Sequence, residues 1–276
     1  MKLALCNEVI READFARQCA MAAAMGYAGL ELAPFTLGED TYRMGSHQRA
    51  TIRRAAQDAG VAICGLHWLL VAPPGLSITT EDKTIRARTI DVMRRLVELC
   101  AELGGSYLVH GSPGQRRIGD KPDPKAAAGL GEAAWAAVVG DATKAKVVYC
   151  IEPLGTTETD FVNTLAEAAE IVRRIGNPAL RTMIDTSAAA QMEPEPVADV
   201  VRRWMPTGLI AHVQLNDRNR RGPGQGGDRF APVLKALCDT GYAGWLAMEP
   251  FDYVPDGPTC AARAIGYVQG LLETME

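Results

Sequence analysis

The chain reads Ile210-Ala-His-Val-Gln-Leu-Asn-Asp217, an apolar run with polar residues at every second position. His212, Gln214 and Asn216 share one face of the predicted strand, because strand side chains alternate with a period of two. Polar groups on a buried face cost free energy unless they find partners there. The stretch therefore predicts a buried strand that ends at a polar site.

Seven more apolar runs alternate with helical segments along the chain. The eight predicted strands are Leu3–Val9, Gly29–Phe35, Ala62–Leu70, Tyr107–Pro113, Val148–Leu154, Thr182–Thr186, Ile210–Asp217 and Trp245–Phe251. The predicted helices are Asp14–Met25, His47–Ala59, Thr84–Leu103, Pro124–Lys146 (interrupted by its glycines), Thr164–Ile175, Pro196–Trp204, Ala231–Thr240 and Thr259–Met275. Eight strand–helix units predict a closed parallel (β/α)8 barrel, a TIM barrel of the α/β class, as a single domain over residues 1–276.

An open doubly wound sheet is the main alternative fold. It would usually carry a glycine-rich phosphate loop after its first strand. Here the first strand ends Cys6-Asn-Glu-Val9, without a glycine. The length of 276 residues also suits one barrel domain.

Composition narrows the class of protein. Apolar residues make up 47% of the chain, charged residues 22%, and the net charge is −4, which does not suggest a polyanion-binding surface. The seven cysteines are scattered and odd in number, so we expect reduced thiols in a cytoplasmic protein. No N-terminal signal pattern and no run of about 18 apolar residues is present, so no membrane span is expected.

Polar residues recur at the C-terminal halves of the predicted strands. In a barrel all of them converge on one mouth. They are Glu8, Glu31, His67, His110, Glu152, Asp185, Gln214 and Glu249. Carboxylates buried together repel each other unless a cation or a proton lies among them.

The last four of these residues end consecutive strands and form an all-oxygen donor set. Glu152, Asp185, Gln214 and Glu249 suit manganese or magnesium, with cobalt as a third option, better than structural zinc. Gln214 supplies a neutral oxygen that keeps the charge of the set low, and His212 is expected to pack in the layer below. A helix cap or a rim salt bridge is the alternative for any one carboxylate.

Four segments resemble the xylose-isomerase-like TIM barrel superfamily, and the likeness extends over the whole chain. They are Ile151-Glu-Pro-Leu154, Met183-Ile-Asp-Thr186, His212-Val-Gln-Leu-Asn-Asp217 and Met248-Glu-Pro250. That superfamily contains ketose 3-epimerases, hydroxypyruvate isomerases, inosose and dehydroshikimate dehydratases and DNA-repair endonucleases. The resemblance implies that Glu152, Asp185, Gln214 and Glu249 bind one divalent metal ion.

Within the superfamily the chain matches no single group at every position. Ketose 3-epimerases usually have histidine at the third ligand, whereas the isomerases and dehydratases named above commonly have glutamine, as at Gln214. Glu158 and Arg220 match epimerase residues that contact substrate. Ala188 replaces a substrate-contacting histidine of the epimerases, and Gly155-Thr-Thr157 replaces their usual Asn-Arg-aromatic run.

A metal site of this kind suits proton abstraction beside a carbonyl, through an enediolate. We assign Glu152 and Glu249 as the acid–base pair and expect no organic cofactor. His67, Trp68 and His110 are expected to contact a sugar-like substrate, with barrel–helix packing as the alternative for Trp68.

Three reaction outcomes share the enediolate and stay open. Hydrogen moved between carbons gives an isomerase, hydrogen returned to the other face gives an epimerase, and loss of a β-substituent gives a dehydratase or lyase. The substrate is expected to be a ketose, phosphorylated or free, or for a lyase an inosose, a dehydroshikimate-like acid or a 3-keto-glycoside.

Two other classes of protein are alternatives. A multi-zinc DNA-repair endonuclease is disfavoured, because the chain has only four histidines and a net negative charge. A barrel that binds a sugar without catalysis is the other alternative. Family analogy suggests a homo-oligomer, a dimer or tetramer.

Overall fold

Eight parallel strands close into a barrel in the computed structural model, which describes residues 1–119 and 121–275. Each strand pairs with the next along the chain, and the first pairs with the last. The strands are β1 Lys2–Cys6, β2 Gly29–Leu32, β3 Ala62–Leu66, β4 Tyr107–His110, β5 Val148–Ile151, β6 Leu180–Asp185, β7 Ile210–Leu215 and β8 Trp245–Met248. The expected TIM barrel is confirmed.

All eight strands end earlier than the sequence predicts. β1 ends at Cys6, and a short 3-10 helix, Asn7–Ile10, replaces the predicted end of that strand. A second 3-10 helix, Pro34–Leu37, follows β2 in the same way. The apolar runs continue past the last strand pairing because the turns over the barrel mouth are buried too. Glu8 therefore lies on a turn, not in a strand.

Nine helices lie in the described part of the chain. They are α1 Phe15–Met25, α2 Ser46–Ala59, α3 Lys83–Leu103, α4 Pro124–Ala145, α5 Leu165–Ile175, α6 Thr186–Met192, α7 Val197–Trp204, α8 Phe230–Asp239 and α9 Gly257–Glu273. Short α6 was missed because it directly continues β6. None of the described helices combines the length and the apolar character needed to cross a membrane.

The predicted interruption of α4 is wrong, because the helix is continuous through its three glycines. Gly129 and Gly140 are exposed, with no neighbouring atoms where a side chain would begin. Gly131 is buried, and a Cβ there would meet the ring of Phe161. Glycine lowers helix stability by about 0.5–1 kcal/mol, which packing of this long helix overrides.

Candidate active site

Three carboxylates meet at the floor of a cavity of about 310 Å³ at the carboxyl ends of the strands. One oxygen from each of Glu152, Asp185 and Glu249 lies within 4.8 Å of the others. All three residues are buried, between 4% and 6% exposed. The structure therefore brings together the three predicted carboxylates, as strand order in a barrel requires.

Gln214 lies beside Asp185 in the sheet register and is fully buried. Its Nε2 donates a hydrogen bond of 2.7 Å to Oε1 of Glu31, whereas its Oε1 has no partner. Asp185 shows the same division: Oδ1 accepts from the backbone N–H of Ala188 at 2.6 Å, and Oδ2 has no partner. A buried polar atom without a partner costs about 1–3 kcal/mol. These two unpartnered oxygens lie on residues that pair in the sheet, and Asp185 joins Glu152 and Glu249 in the carboxylate cluster. Carboxylate and amide oxygens of this kind fit the donor set of a hard divalent cation.

Crowding of the three carboxyl groups disfavours their charged forms. Burial, with Glu249 and Asp185 nearby, raises the pKa of Glu152 well above its usual value. Burial raises the pKa of Asp185 to about 7 and that of Glu249 to about 8. Protons or a cation must therefore neutralise this cavity floor near neutral pH.

The Glu152 carboxylate reaches the cavity floor past the backbone of Gly111, which directly follows β4. A Cβ at Gly111 would lie much closer to Oε2 of Glu152 than van der Waals contact allows. Glycine at this position therefore leaves room for the present position of the Glu152 carboxylate, which an added Cβ would force to move.

His67 lies behind Glu249 and does not line the cavity. Nδ1 of His67 is 2.8 Å from Oε1 of Glu249, and Nε2 is 2.9 Å from Oε2 of Glu8. Burial disfavours the charged ring, but Glu8 and Glu249 outweigh it and raise the pKa of His67 well above its usual value. The raised pKa favours the imidazolium form of His67, in which both ring nitrogens donate to the flanking carboxyl groups.

Glu31 forms the layer beneath the cavity floor. It accepts hydrogen bonds from Gln214 and from the hydroxyl of Tyr107, and Nε2 of His212 lies 2.8 Å from its Oε2. Burial alone would raise the pKa of Glu31, but the neighbouring His212, with His67 and the Tyr107 hydroxyl, lowers it to about 2. The ring of His212 stacks on Tyr107 at 4.0 Å between centroids, so the expected packing of His212 below the site is confirmed. Tyr107 was not among the predicted site residues, because the sequence does not show which face of β4 points into the barrel.

His110 lies outside the barrel wall and is not brought to the cavity. Tyr107 points into the barrel, so His110, three residues later on β4, points the other way. Its Nδ1 is 2.7 Å from the Tyr149 hydroxyl and accepts from Nε1 of Trp135 at 3.2 Å. Burial, with Arg116 nearby, lowers the pKa of His110 to about 3.

The cavity walls divide into an aromatic side and a polar side. Trp68 meets Phe35 and Phe251 edge to face, at 5.3 and 5.6 Å between ring centroids. The guanidinium of Arg220 lies over the ring of Phe251, at 5.0 Å. The polar side carries Thr157, Glu158, Ser187, Gln191 and Asn216. Of the predicted substrate-binding residues, Trp68, Glu158 and Arg220 therefore line the cavity, and His67 and His110 do not.

Comparison with known proteins agrees with this architecture. A family model described as "Xylose isomerase-like TIM barrel" matches residues 19–270. A D-psicose 3-epimerase of Agrobacterium fabrum (strain C58 / ATCC 33970) is 28% identical over 232 residues, which are 78% of this chain and 76% of that protein. A putative hydroxypyruvate isomerase of Mus musculus is 32% identical over 118 residues, 41% of this chain and 40% of that protein.

A crystal structure of D-psicose 3-epimerase in the presence of D-fructose has a TM-score of 0.83 and 21% identity. That match covers 99% of both chains and is a likeness of fold. Because the family model spans most of the sequence, the chain belongs to the xylose isomerase-like TIM barrel family.

Proposed function

We propose that this protein is a divalent-metal-dependent epimerase or isomerase of a ketose or a ketose-like sugar. The main support for this proposal is the buried cluster of Glu152, Asp185 and Glu249, together with the unpartnered oxygens of Asp185 and Gln214. The epimerase and isomerase names of the similar proteins support the same reaction class.

Glu152, Asp185, Gln214 and Glu249 would hold one manganese or magnesium ion. Carboxylate and amide oxygens are the donors that these ions prefer. When bound, the cation supplies a Lewis acid that stabilises negative charge developing on substrate oxygens.

Glu152 and Glu249 would carry the proton transfers. They approach the cavity from β5 and β8, and both line its floor. One carboxylate takes the proton from the carbon beside the substrate carbonyl, and the C–H electron pair moves to the carbonyl oxygen to give an enediolate. The other carboxylate returns a proton to the opposite face of that carbon, which gives the epimer. Return of the proton to the adjacent carbon, with the hydroxyl proton of the enediolate passing to the neighbouring oxygen, gives the isomer.

The cavity walls would orient the sugar. Trp68 offers an aromatic face to the apolar side of a sugar chain, and Glu158 and Arg220 lie where substrate hydroxyl groups would bind. Arg220 forms no ion pair with an acidic residue among the described residues. Its guanidinium is therefore free to donate to a hydroxyl, a carboxylate or a phosphate.

Solvent deuterium exchange followed by NMR tests the proposal. The Mn²⁺-loaded or Mg²⁺-loaded protein is incubated in D2O with ketoses, ketose phosphates and inososes. Deuterium should enter one carbon of a substrate and of its product, whose mass is otherwise unchanged.

The first prediction concerns Glu152→Gln, which removes one of the two proton-transfer groups. We expect kcat to fall by about 10²–10⁴-fold, the usual contribution of general acid–base catalysis. Glu170→Gln makes the same chemical change on the exposed face of α5 and should leave kcat unchanged. Turnover by Glu152→Gln at the rate of Glu170→Gln would contradict the assignment.

A dehydratase or lyase reaction is the second candidate. Ala188 and Gln214 favour it, because both depart from the residues usual in ketose 3-epimerases. The same proton abstraction would then be followed by loss of a β-substituent. Product mass separates the two reactions: a dehydratase product lacks the mass of water, whereas an isomer or epimer does not.

A further inference from the structure

Glu8 and His67 are connected to the catalytic floor without being part of its surface. His67 is fully buried and Glu8 is 2% exposed, and neither lines the main cavity. The chain of contacts runs from Oε2 of Glu8 through the two ring nitrogens of His67 to Oε1 of Glu249, at 2.9 and 2.8 Å. Hydrogen-bond contact between Glu8 and Glu249 therefore runs through the ring of His67, although the charge of Glu8 also lies close to Glu249.

The two carboxylates of the acid–base pair differ in how they are held. Oε1 of Glu249 is held 2.8 Å from Nδ1 of His67, and the Glu249 side chain also lines the cavity. No described side chain donates a hydrogen bond to the carboxylate of Glu152; its position is limited by the close approach to Gly111. Glu249 is thus the oriented member of the pair.

The segment that carries Glu8 is itself anchored. The 3-10 helix Asn7–Ile10 is buried throughout. The side-chain amide of Asn7 donates to Gln18 and Thr36 at 2.9 and 2.8 Å and accepts from the backbone N–H of Ala33 at 2.8 Å. These bonds tie the turn after β1 to α1 and to the turn after β2, so Glu8 is presented to His67 from a fixed backbone.

We propose that Glu8 and His67 are positioning residues for Glu249: Glu8 holds the ring of His67, and the ring fixes the Glu249 carboxylate toward the cavity. The role of Glu249 in turnover rests on the function proposed above, whereas the orientation of its carboxylate does not. Outer hydrogen-bond partners of catalytic and metal-binding groups typically contribute about 10–100-fold to activity or metal affinity.

Three variants separate positioning from simple structural support. Glu8→Leu removes the acceptor for Nε2 of His67. Glu8→Gln keeps an acceptor oxygen at the same place without the charge. Glu12→Leu is the matched control, because Glu12 lies on the same turn with its side chain 95% exposed.

The measurements are the Mn²⁺ dissociation constant, kcat and KM, with the thermal midpoint as a folding check. Glu8→Leu should raise the dissociation constant about tenfold or more and lower kcat about 10–100-fold, with little change in KM. Glu8→Gln should recover most of both losses, and Glu12→Leu should match the parent. His67→Leu, which removes both contacts, should lose at least as much as Glu8→Leu and serves if that variant does not fold.

The outcomes are distinguishable. Parental Mn²⁺ affinity and kcat in Glu8→Leu or His67→Leu would overturn the positioning role, and so would equal losses in Glu8→Gln and Glu8→Leu. A parent protein that exchanges no substrate proton would instead contradict the proposed function. In that case the Mn²⁺ affinities and a crystal structure of Glu8→Leu, in which Glu249 should leave its present position, still decide the inference.

Discussion

Gln214 shows how one side chain serves two layers of the barrel. Its amide N–H donates downward to Glu31, and the same bond turns Oε1 away from Glu31 and leaves it without a partner. A carboxylate at this position would place two negative charges together in a buried site. A neutral side chain with both a donor and an acceptor satisfies Glu31 and still offers an oxygen to a cation.

The second prediction follows for Gln214→Glu. We expect the free energy of unfolding of the metal-free protein to fall by about 3–5 kcal/mol, because the new carboxylate lies unpaired against Glu31. Urea denaturation measures the change. Gln57→Glu on the exposed face of α2 is the control and should change stability by less than about 0.5 kcal/mol. Equal stability of the two variants would rule out the contact between Gln214 and Glu31.

The position of a single side chain could be predicted where the alternation of side chains along a strand, or the end of a strand, determines it. Glu152, Asp185 and Glu249 could be placed together because each falls at the end of a strand. His110 also falls at a strand end, but its inward or outward face depends on the register of β4, which the sequence does not display. The link between Glu8 and His67 spans 59 positions of sequence and needed the closed barrel to become visible.

The turn after β4 brings backbone against a catalytic side chain. The third prediction is that Gly111→Ala lowers kcat by about 10²-fold, because displacement of a catalytic group by about 1 Å has an effect of this size. Gly114→Ala, in the same turn but with no atom near its Cβ position, is the matched control and should retain kcat. Parental kcat in Gly111→Ala would mean that Glu152 acts from another position.

The glycines of α4 provide the fourth prediction, on stability. Gly140→Ala should raise the free energy of unfolding by about 0.5–1 kcal/mol, because exposed glycine costs that much in a helix. Gly131→Ala should lower it by about 1–3 kcal/mol, because its Cβ would overpack the ring of Phe161. Thermal or urea unfolding measures both, and stabilisation by Gly131→Ala would contradict the packing described for α4.

Helix ends were more predictable than strand ends, because the residues that end a helix lie next to it in the sequence. Gly26, Gly60 and Gly104 end α1, α2 and α3 in the left-handed conformation that favours glycine, and all three are readable in sequence. The ends of the strands are set by pairing with neighbours, and the buried turns after them are as apolar as the strands. Short α6 has no loop before it, and its N-cap, Asp185, is the last residue of β6, so the sequence does not separate the helix from the strand.

At the scale of the whole molecule, the cavity floor couples stability to pH. The fifth prediction is that the metal-free protein loses stability between about pH 6.5 and 8 as the pH rises. Asp185 and Glu249, with pKa values of about 7 and 8, and His67, whose pKa is raised, hold protons in the folded chain that the unfolded chain has released. The folded state binds more protons in this range, so the free energy of unfolding decreases with pH.

Other buried groups with shifted pKa values do not oppose this loss of stability between about pH 6.5 and 8. His110, whose pKa is lowered to about 3, increases stability with rising pH only up to about 6.5, the usual histidine value. Glu31, with a pKa of about 2, acts only at acid pH. Urea denaturation at several pH values in EDTA measures the slope, and added Mn²⁺ should restore stability at pH 8. A free energy of unfolding that stays constant or rises with pH in EDTA would contradict the claim that these buried groups hold protons in the folded protein.

Assembly into a dimer or tetramer stays a prediction. Val254, 40% exposed, is the exposed large hydrophobic residue in the described part of the chain. Light scattering of the purified protein measures the mass of the assembly directly.

The central claim is that Glu152, Asp185, Gln214 and Glu249 hold one divalent cation. Anomalous diffraction at the manganese edge, from crystals grown with Mn²⁺, tests it most directly. We expect one strong peak per chain at the cavity floor, within coordination distance of an oxygen of each of the four residues. No peak at the cavity floor, or a peak that Gln214 and Asp185 do not reach, would contradict the account.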